Sequence, residues 1–363
     1  MSFPWALILG VMLFCSCDGE EGSGSSSNKP KSRGAIGEIL VAVDSIKWQG
    51  PIGAAMREVF EGSIPGLIRD ENFYDLRKVD PRAMNKVLKL STNIIYVTTF
   101  DDRNGGSQVI NAMFTKEAKE KAAADPSLYM LRSADEFAQD QEVIYLFGNS
   151  EDQLIENLRK HKRQLQNLFQ VKERTRMQKI LLSRKSSEAH VAGRKLGLSV
   201  NVPASYQIAK STDNFLWLRQ PTISTSRPDI SLFFYSTNYT SETQTFPDSI
   251  LSLREKITKQ HIYGNPSNHN SFLVTERFDP APVFTNFRIN DNFAVEIRGG
   301  WKTNNLSMGG SFLAYIMVDA EKGKLYYMEG FVYYPNEAHR ESIREIETIL
   351  LATQLAKATE VAQ

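Results

Sequence analysis

The residues best suited to chemistry sit between Arg298 and Ser311, where Gly299-Gly300 precede Trp301 and Met308-Gly309-Gly310 follow it. Paired glycines let backbone approach a neighbour or ligand closely. Arg298, Trp301, Met308, Gly309 and Gly310 are therefore the candidate ligand-binding residues, an indole, a guanidinium and open amides lining a cleft for a glycan or peptide. The competing reading, a glycine-permitted bulge and hairpin with Trp301 in the core, is the one these residue types favour. The five histidines, His161, His190, His261, His269 and His339, contain no i,i+4 pair around a Glu, so the zinc-protease helix is absent. His339 has Glu337 and Glu341 two residues away, off its helix face, and is expected at the surface. No Gly-x-Ser-x-Gly elbow, phosphate loop or dinucleotide fingerprint occurs in a fitting context. Asp101, Asp102 and Asn104 could offer oxygens to Ca²⁺. Without a bidentate Glu at the right distance, a turn after a strand is the expected reading. No catalytic residue, metal or cofactor is assigned, and carboxylates for glycoside hydrolysis cannot be chosen without their separation in space.

The chain has two cysteines, Cys15 and Cys17. From residue 18 onward no disulfide, thiol nucleophile or thiolate metal site can exist. Ala6 to Phe14 (ALILGVMLF) is apolar but short of the roughly 20 residues that span a bilayer, and it fits a signal-peptide core. Phe14-Cys15-Ser16-Cys17 follows and resembles a bacterial lipobox. The small Ser16 precedes the cysteine whose thiol takes the lipid, so residues 1–16 are expected to be removed and Cys17 lipidated. Each buried methylene then adds about 0.8 kcal/mol of membrane affinity. No Lys or Arg precedes the apolar run. Residues 17–34 read as the lipidated cysteine and a Gly/Ser tether. Asp18, Glu20 and Glu21 resemble the acidic surface-export signal of Bacteroidota lipoproteins. The expected location is the cell envelope, lipid-anchored in the outer membrane, on its surface or periplasmic face. Asp44-Ser45-Ile46 and Asp248-Ser249-Ile250 resemble the O-glycosylation sequon of such exported proteins.

Positioning elements follow from periodicity. Glu38 to Val43, Phe73 to Val79, Asn93 to Phe100 and Glu142 to Phe147 read as strands. Helices are expected over Gly50 to Gly62, Asp80 to Leu90 and Ser107 to Ala124, and one long helix from Ser150 to Leu182. Between Arg159 and Lys185 that helix carries ten Lys/Arg against Glu173 alone. A solvated polar face is the simpler reading, and attraction to anionic headgroups the functional one. Ser183 to Gly193 looks like an interdomain joint. Strands are then expected near residues 197–203, 205–209, 215–219, 230–236, 271–278, 293–299, 312–318 and 325–334, with a hairpin turn at Lys322-Gly323. Helices are expected at Ser249 to Gln260 and Glu337 to Lys357. The fold class is α+β: an N-terminal α/β sandwich over residues 35–186, then an antiparallel sheet covered by helices, on one face, over residues 194–357.

Three stretches resemble the Bacteroidota lipoprotein family catalogued as domain of unknown function 4837. They are GEILVAVDSIKWQGPIGAAMREVF (Gly37 to Phe60), RGGWKTNNLSMGGSFLAYIMVD (Arg298 to Asp319) and GFVYYP (Gly330 to Pro335), with FLWLRQ and LREKITKQHIYG between. Ser311 stands where the family usually carries Pro. The resemblance implies lipidation and an envelope location and carries no established activity. The second half is also similar to the sheet-and-helix binding modules of the photosystem P-subunit and nuclear-import Mog type. The net charge of +1 gives no preference for nucleic acid. The expected function is a non-enzymatic binding or assembly module, with an envelope protein, peptide or glycan as partner. The rival is a hydrolase acting on an envelope polymer or glycan.

Overall fold

The computed structural model describes residues 29–220, 222, 226–265 and 268–356. The expected signal peptide, residues 1–16, and Cys17, the expected lipidation site, lie outside the described residues.

The first half runs β1 (Glu38–Val43), α1 (Ser45–Gln49), α2 (Pro51–Phe60), β2 (Asp75–Val79), β3 (Asn93–Thr99), α3 (Gly105–Asn111), α4 (Lys116–Ala124), β4 (Met130–Ala134), β5 (Glu142–Gly148), α5 (Glu151–Lys160) and α6 (Lys162–Leu181). The sheet order is β2-β1-β3-β5-β4. The first four of these are parallel, and β4 closes the edge antiparallel to β5. Residues alternate between two buried faces, which is why these strands are apolar throughout. Ile39, Val41, Ile95, Val97, Ile144 and Leu146 meet α2, α5 and α6. Ala42, Ile94, Tyr96, Val143 and Phe147 meet α3 and its neighbour α4.

Two expected helices are divided and one is lost. The Ser107 to Ala124 helix breaks where Thr115 accepts the Ala118 N–H and caps α4. The long helix breaks at His161, which ends α5 and opens α6. Asp80 caps a turn at Pro81 as expected. Asn85 Oδ1 then takes the amides of Val87 and Leu88, and this side-chain competition keeps residues 81–90 in separate single turns.

The second half adds α7 (Ser187–Leu196), β6 (Leu198–Ser199), β7 (Gln207–Ser211), β8 (Phe215–Gln220), β9 (Asp229–Asn238), α8 (Pro247–His261), β10 (Tyr263–Asn265), β11 (Asn268–Thr275), β12 (Val283–Ile289), β13 (Asn292–Thr303), β14 (Gly309–Asp319), β15 (Lys324–Tyr333), α9 (Arg340–Leu351) and β16 (Gln354–Leu355). Its antiparallel sheet is ordered β10-β11-β13-β14-β15-β9-β8-β7, with β12 also on β13. Central β14 is buried along almost its whole length. Leu313, Tyr315 and Met317 face α7 and α9, whereas Phe312, Ala314 and Ile316 face α8. The expectation of one covered face is thus corrected, because a central strand apolar on both faces needs helices on both. Within the stretch read as a joint, 183–193, α7 begins, and it buries Ala189, Ala192 and Leu196 in this core.

The halves share parts. Ile64 and Leu67, from the loop between α2 and β2, are members of the second core. Glu71 accepts the N–H groups of His339 and Arg340 at 2.8 and 2.7 Å, capping α9, and Asp75 pairs Arg340 at 2.6 Å. On α9, Glu347 binds Gln170 (2.9 Å) and Arg174 (3.2 Å) of α6 and Arg298 (3.3 Å) of β13. The end of the expected tether is ordered too. Ser32 donates to Gln139 O (3.0 Å), Gln139 to Pro30 O (2.8 Å) and Arg33 to Leu90 O (2.8 Å), which lays residues 29–33 along the first sheet.

Under α8 lies a fully buried ion pair. Arg254 donates to both oxygens of Glu329 at 2.9 and 2.8 Å and to Thr275 Oγ1 at 3.0 Å, and its guanidinium lies 4.1 Å from the Phe312 ring centre. Tyr327 Oη donates to Glu329 at 2.6 Å. Removing one partner strands the other without water. Glu329→Gln should cost about 3–5 kcal/mol in urea unfolding. The double change Arg254→Met with Glu329→Leu should cost less than that single change.

Candidate functional site

The five residues singled out by sequence come together but line no cleft. Trp301 is 2% exposed, and its indole N–H donates to Val332 O at 3.1 Å. To reach that carbonyl on β15 the ring crosses β14 at Gly310. A Cβ there would stand 1.9 Å from Val332 O and 2.8 Å from the indole nitrogen. Gly309 packs on the Trp301 carbonyl, and Met308 closes the turn by bonding Thr303. Arg298 is sealed between Glu296 (2.7 Å) and Glu347, and Tyr315 donates to Glu296 at 2.8 Å. Those two carboxylates hold the Arg298 guanidinium more firmly protonated than in water, against the burial that opposes its charge. The glycines serve the packing of Trp301, and the cleft expected there is replaced by core.

His339, expected at the surface, is 1% exposed. Its Nε2–H donates to Tyr334 O at 3.1 Å, which leaves Nδ1 to accept from Ser311 Oγ at 3.0 Å; Ser311 Oγ in turn accepts the Ile68 N–H at 3.3 Å. Sequence reading missed this Ser–His pair because 28 residues separate its members. It resembles half of a hydrolytic triad, but Ser311 is fully buried and its oxygen already anchors the first half's loop. Ser311 thus has a structural task at the position where the resembled family usually has Pro.

The strand order of the first sheet reverses between the parallel β1 and β3, the place where open α/β sheets usually take ligands. Here the chain fills the place itself. Asp44 accepts the amides of Ile46 (2.9 Å) and Gly106 (3.0 Å), and Asp102 binds Ser107 Oγ and the Asn104 amide. Amides that would receive an anion already hold carboxylates. Asp102 and Asn104 form the turn into α3, and among the described residues no group of three or more His, Cys, Asp or Glu could hold a metal. Ser45 of the first sequon accepts from Lys78, whereas Ser249 is exposed in the first turn of α8. Among the described residues, five of the ten basic residues in the stretch form ion pairs, four of them with acids outside it. Arg159 pairs Glu58, Lys172 pairs Asp135, Arg174 pairs Glu347, Arg176 pairs Glu173 and Lys179 pairs Asp140.

A concavity of about 1050 Å³ lies at one end of the second sheet. The β12–β13 tip, the β14–β15 tip and the loop from β9 to α8 surround it. Phe246 and Phe293 line it and are 51% and 42% exposed, and Tyr239 and Asn286 join them. Glu242, Asp291 and Glu321 also line it, and among the described residues no cation pairs with them; Lys322 is held by Asp319 at 3.5 Å. Asn290 and Asp291 both have positive φ, the geometry of a tight hairpin turn, which sets the neighbouring Phe293 at the rim. Sequence reading missed this site. The available signal was an aromatic directly after an Asn-Asp-Asn turn.

Residues 185–352 match the model of domain of unknown function DUF4837. The second half is thus similar to a domain of unknown function over 168 residues, 185 to 352. Residues 32–182 match a second domain of unknown function, DUF8532, so the Gly37 to Phe60 stretch falls under that model and the resemblance to DUF4837 is corrected to the second half. No curated protein matches the chain significantly. Among solved structures, a Bacteroides thetaiotaomicron protein is 10% identical over 46% of this chain and 47% of its own, with a TM-score of 0.26. The chain thus covers about half the length of that protein. A mutant of the protein Mog1 is 6% identical over 46% of this chain and 94% of its own, with a TM-score of 0.28. The Ran-binding protein Mog1p of Saccharomyces cerevisiae is 6% identical over 45% and 92%, with a TM-score of 0.29.

Gly310→Ala should destabilise the second half by about 2–3 kcal/mol in thermal or urea unfolding, because the clash is with backbone. Acid should weaken it as well. His261, stacked on Phe215 at 4.0 Å, is brought down to about 4 by burial and then by Lys210, and burial lowers His339 too. Depressed histidines contribute stability that is complete above the unfolded value near 6.5 and is lost as pH falls towards about 4. Glu345, raised by burial, works in the opposite sense. Urea midpoints between pH 7 and 4 should fall, and His261→Phe should flatten that slope.

Proposed function

We propose that this chain is the water-exposed body of a lipid-anchored envelope protein, and that its second half is a binding module working through the groove at the hairpin end. The observation that carries the binding reading is the groove itself, where Phe246 and Phe293 stay exposed beside amides and unpaired carboxylates. Exposed aromatic rings in a concave polar setting supply stacking area for a sugar ring or an apolar side chain. The three uncompensated carboxylates repel anions, so the ligand is an uncharged or cationic glycan or peptide strand. Anchorage is supported by the apolar run before Cys17 and by that cysteine's lipobox-like setting. No helix among the described residues is long and apolar enough to cross a membrane. Envelope location follows from anchorage, and the resemblance to Bacteroidota lipoproteins agrees with it.

Two measurements test this. Glycan and peptide arrays probed with the full chain should give ligands whose affinity falls about fivefold or more for each of Phe246→Ala and Phe293→Ala. Hits indifferent to both changes would remove the groove. Palmitate labelling in cells should mark the protein and fail to mark Cys17→Ala, and an unmarked wild type would remove the anchor.

A further inference from the structure

The stem at residues 29–33 bears on how an anchored body meets its membrane. Eleven residues, Asp18 to Asn28, separate Cys17 from Lys29. Covalent geometry limits that stretch to about 40 Å. From Lys29 onward the chain is fixed: residues 29–33 lie between the turn at Asn85–Ser91 and the loop at Asp135–Gln141, bonded to Gln139 on one side and Leu90 on the other. An anchored body is therefore attached through this edge of the first sheet.

The same edge carries an unbalanced charge. Lys31 and Arg33 are exposed on the ordered stem, and Lys86 is exposed in the turn to which Arg33 is bonded. Among the described residues none of the three has an acidic partner. Of the carboxylates nearby, Asp135 pairs Lys172 and Asp140 pairs Lys179, while Glu136 accepts from the Tyr145 hydroxyl and keeps its charge, so three unpaired cations face one unpaired acid. Two of the most exposed large apolar side chains of the body stand here as well. Val87, next to Lys86, is 76% exposed, and Ile180, next to Lys179, is 72% exposed. Cations interleaved with bare aliphatic side chains are the composition of a surface that rests on anionic headgroups.

We infer that this edge, formed by Lys31, Arg33, Lys86, Val87 and Ile180, docks on the anionic headgroups of the bilayer that holds the anchor. The inference rests on the lipid anchor at Cys17. The cations act only within a Debye length of the surface, about 8 Å at physiological salt, and the short span from Cys17 delivers them there. Each basic residue near an anionic surface favours the docked state about fivefold, so the three together favour it about a hundredfold.

The mature lipidated chain contains no cysteine other than Cys17, so Val87→Cys supplies a single free thiol for a fluorophore. The labelled protein is reconstituted in vesicles of phosphatidylcholine with or without phosphatidylglycerol, with nitroxide-bearing lipid as quencher. Quenching at position 87 should be at least twofold stronger with phosphatidylglycerol. It should fall to the phosphatidylcholine level in 0.5 M NaCl and in the variant carrying Lys31→Gln, Arg33→Gln and Lys86→Gln. A label at Phe278→Cys, 89% exposed in the loop between β11 and β12, should remain unquenched throughout. Floating protein with equal quenching at both positions, or with a triple variant that behaves as wild type, overturns the docked face and leaves the anchor standing. Protein that does not float with the vesicles overturns the anchor and the face together.

Discussion

The carboxylate of Glu347 is the constraint on which the arrangement of the molecule turns. It leaves water on α9 and is met by Arg298 from the second sheet and by Gln170 and Arg174 from α6 of the first half. A charge so placed must be satisfied or it unfolds its surroundings. One side chain therefore fixes a helix of each half and a central strand at once. Glu71 repeats the device on a smaller scale by capping α9 from the other half's loop. Around these polar points the apolar exchange follows, with Ile64 and Leu67 buried in a core that belongs otherwise to the later sequence.

Much of the fold was legible because strand signals here are local. The β-branched run at Glu38–Val43 and the aromatic-rich run from Leu325 to Tyr334 specify strands whatever surrounds them. The parts that were not legible depend on distant partners. Asn85 captures amides that a helix would have used, and β4 has a burial pattern too irregular to announce a strand until β5 lies beside it. The division of the long helix at His161 has no Pro or Gly to mark it.

For the candidate site the reason differs. Trp301 and the glycines drew attention because their spacing is unusual, and the spacing is explained by an indole reaching across a strand to a carbonyl. Unusual composition marked a packing solution. The groove, by contrast, is assembled from ordinary residues at three turns far apart in sequence, and only the tertiary fold brings Phe246, Phe293 and Glu321 together. The buried Arg254–Glu329 pair escaped for the same reason, since a lone Arg in a helix pattern reads as solvent-facing.

The shared core has a corollary at the seam between the halves. The two family ranges meet between residues 182 and 185 as though the halves were independent modules. Neither could be traded for an unrelated neighbour, because the earlier half would present Ile64 and Leu67 to solvent and the later half would keep two hollows where they had been. Cutting the chain at that seam therefore bares apolar surface on one side and opens a cavity on the other.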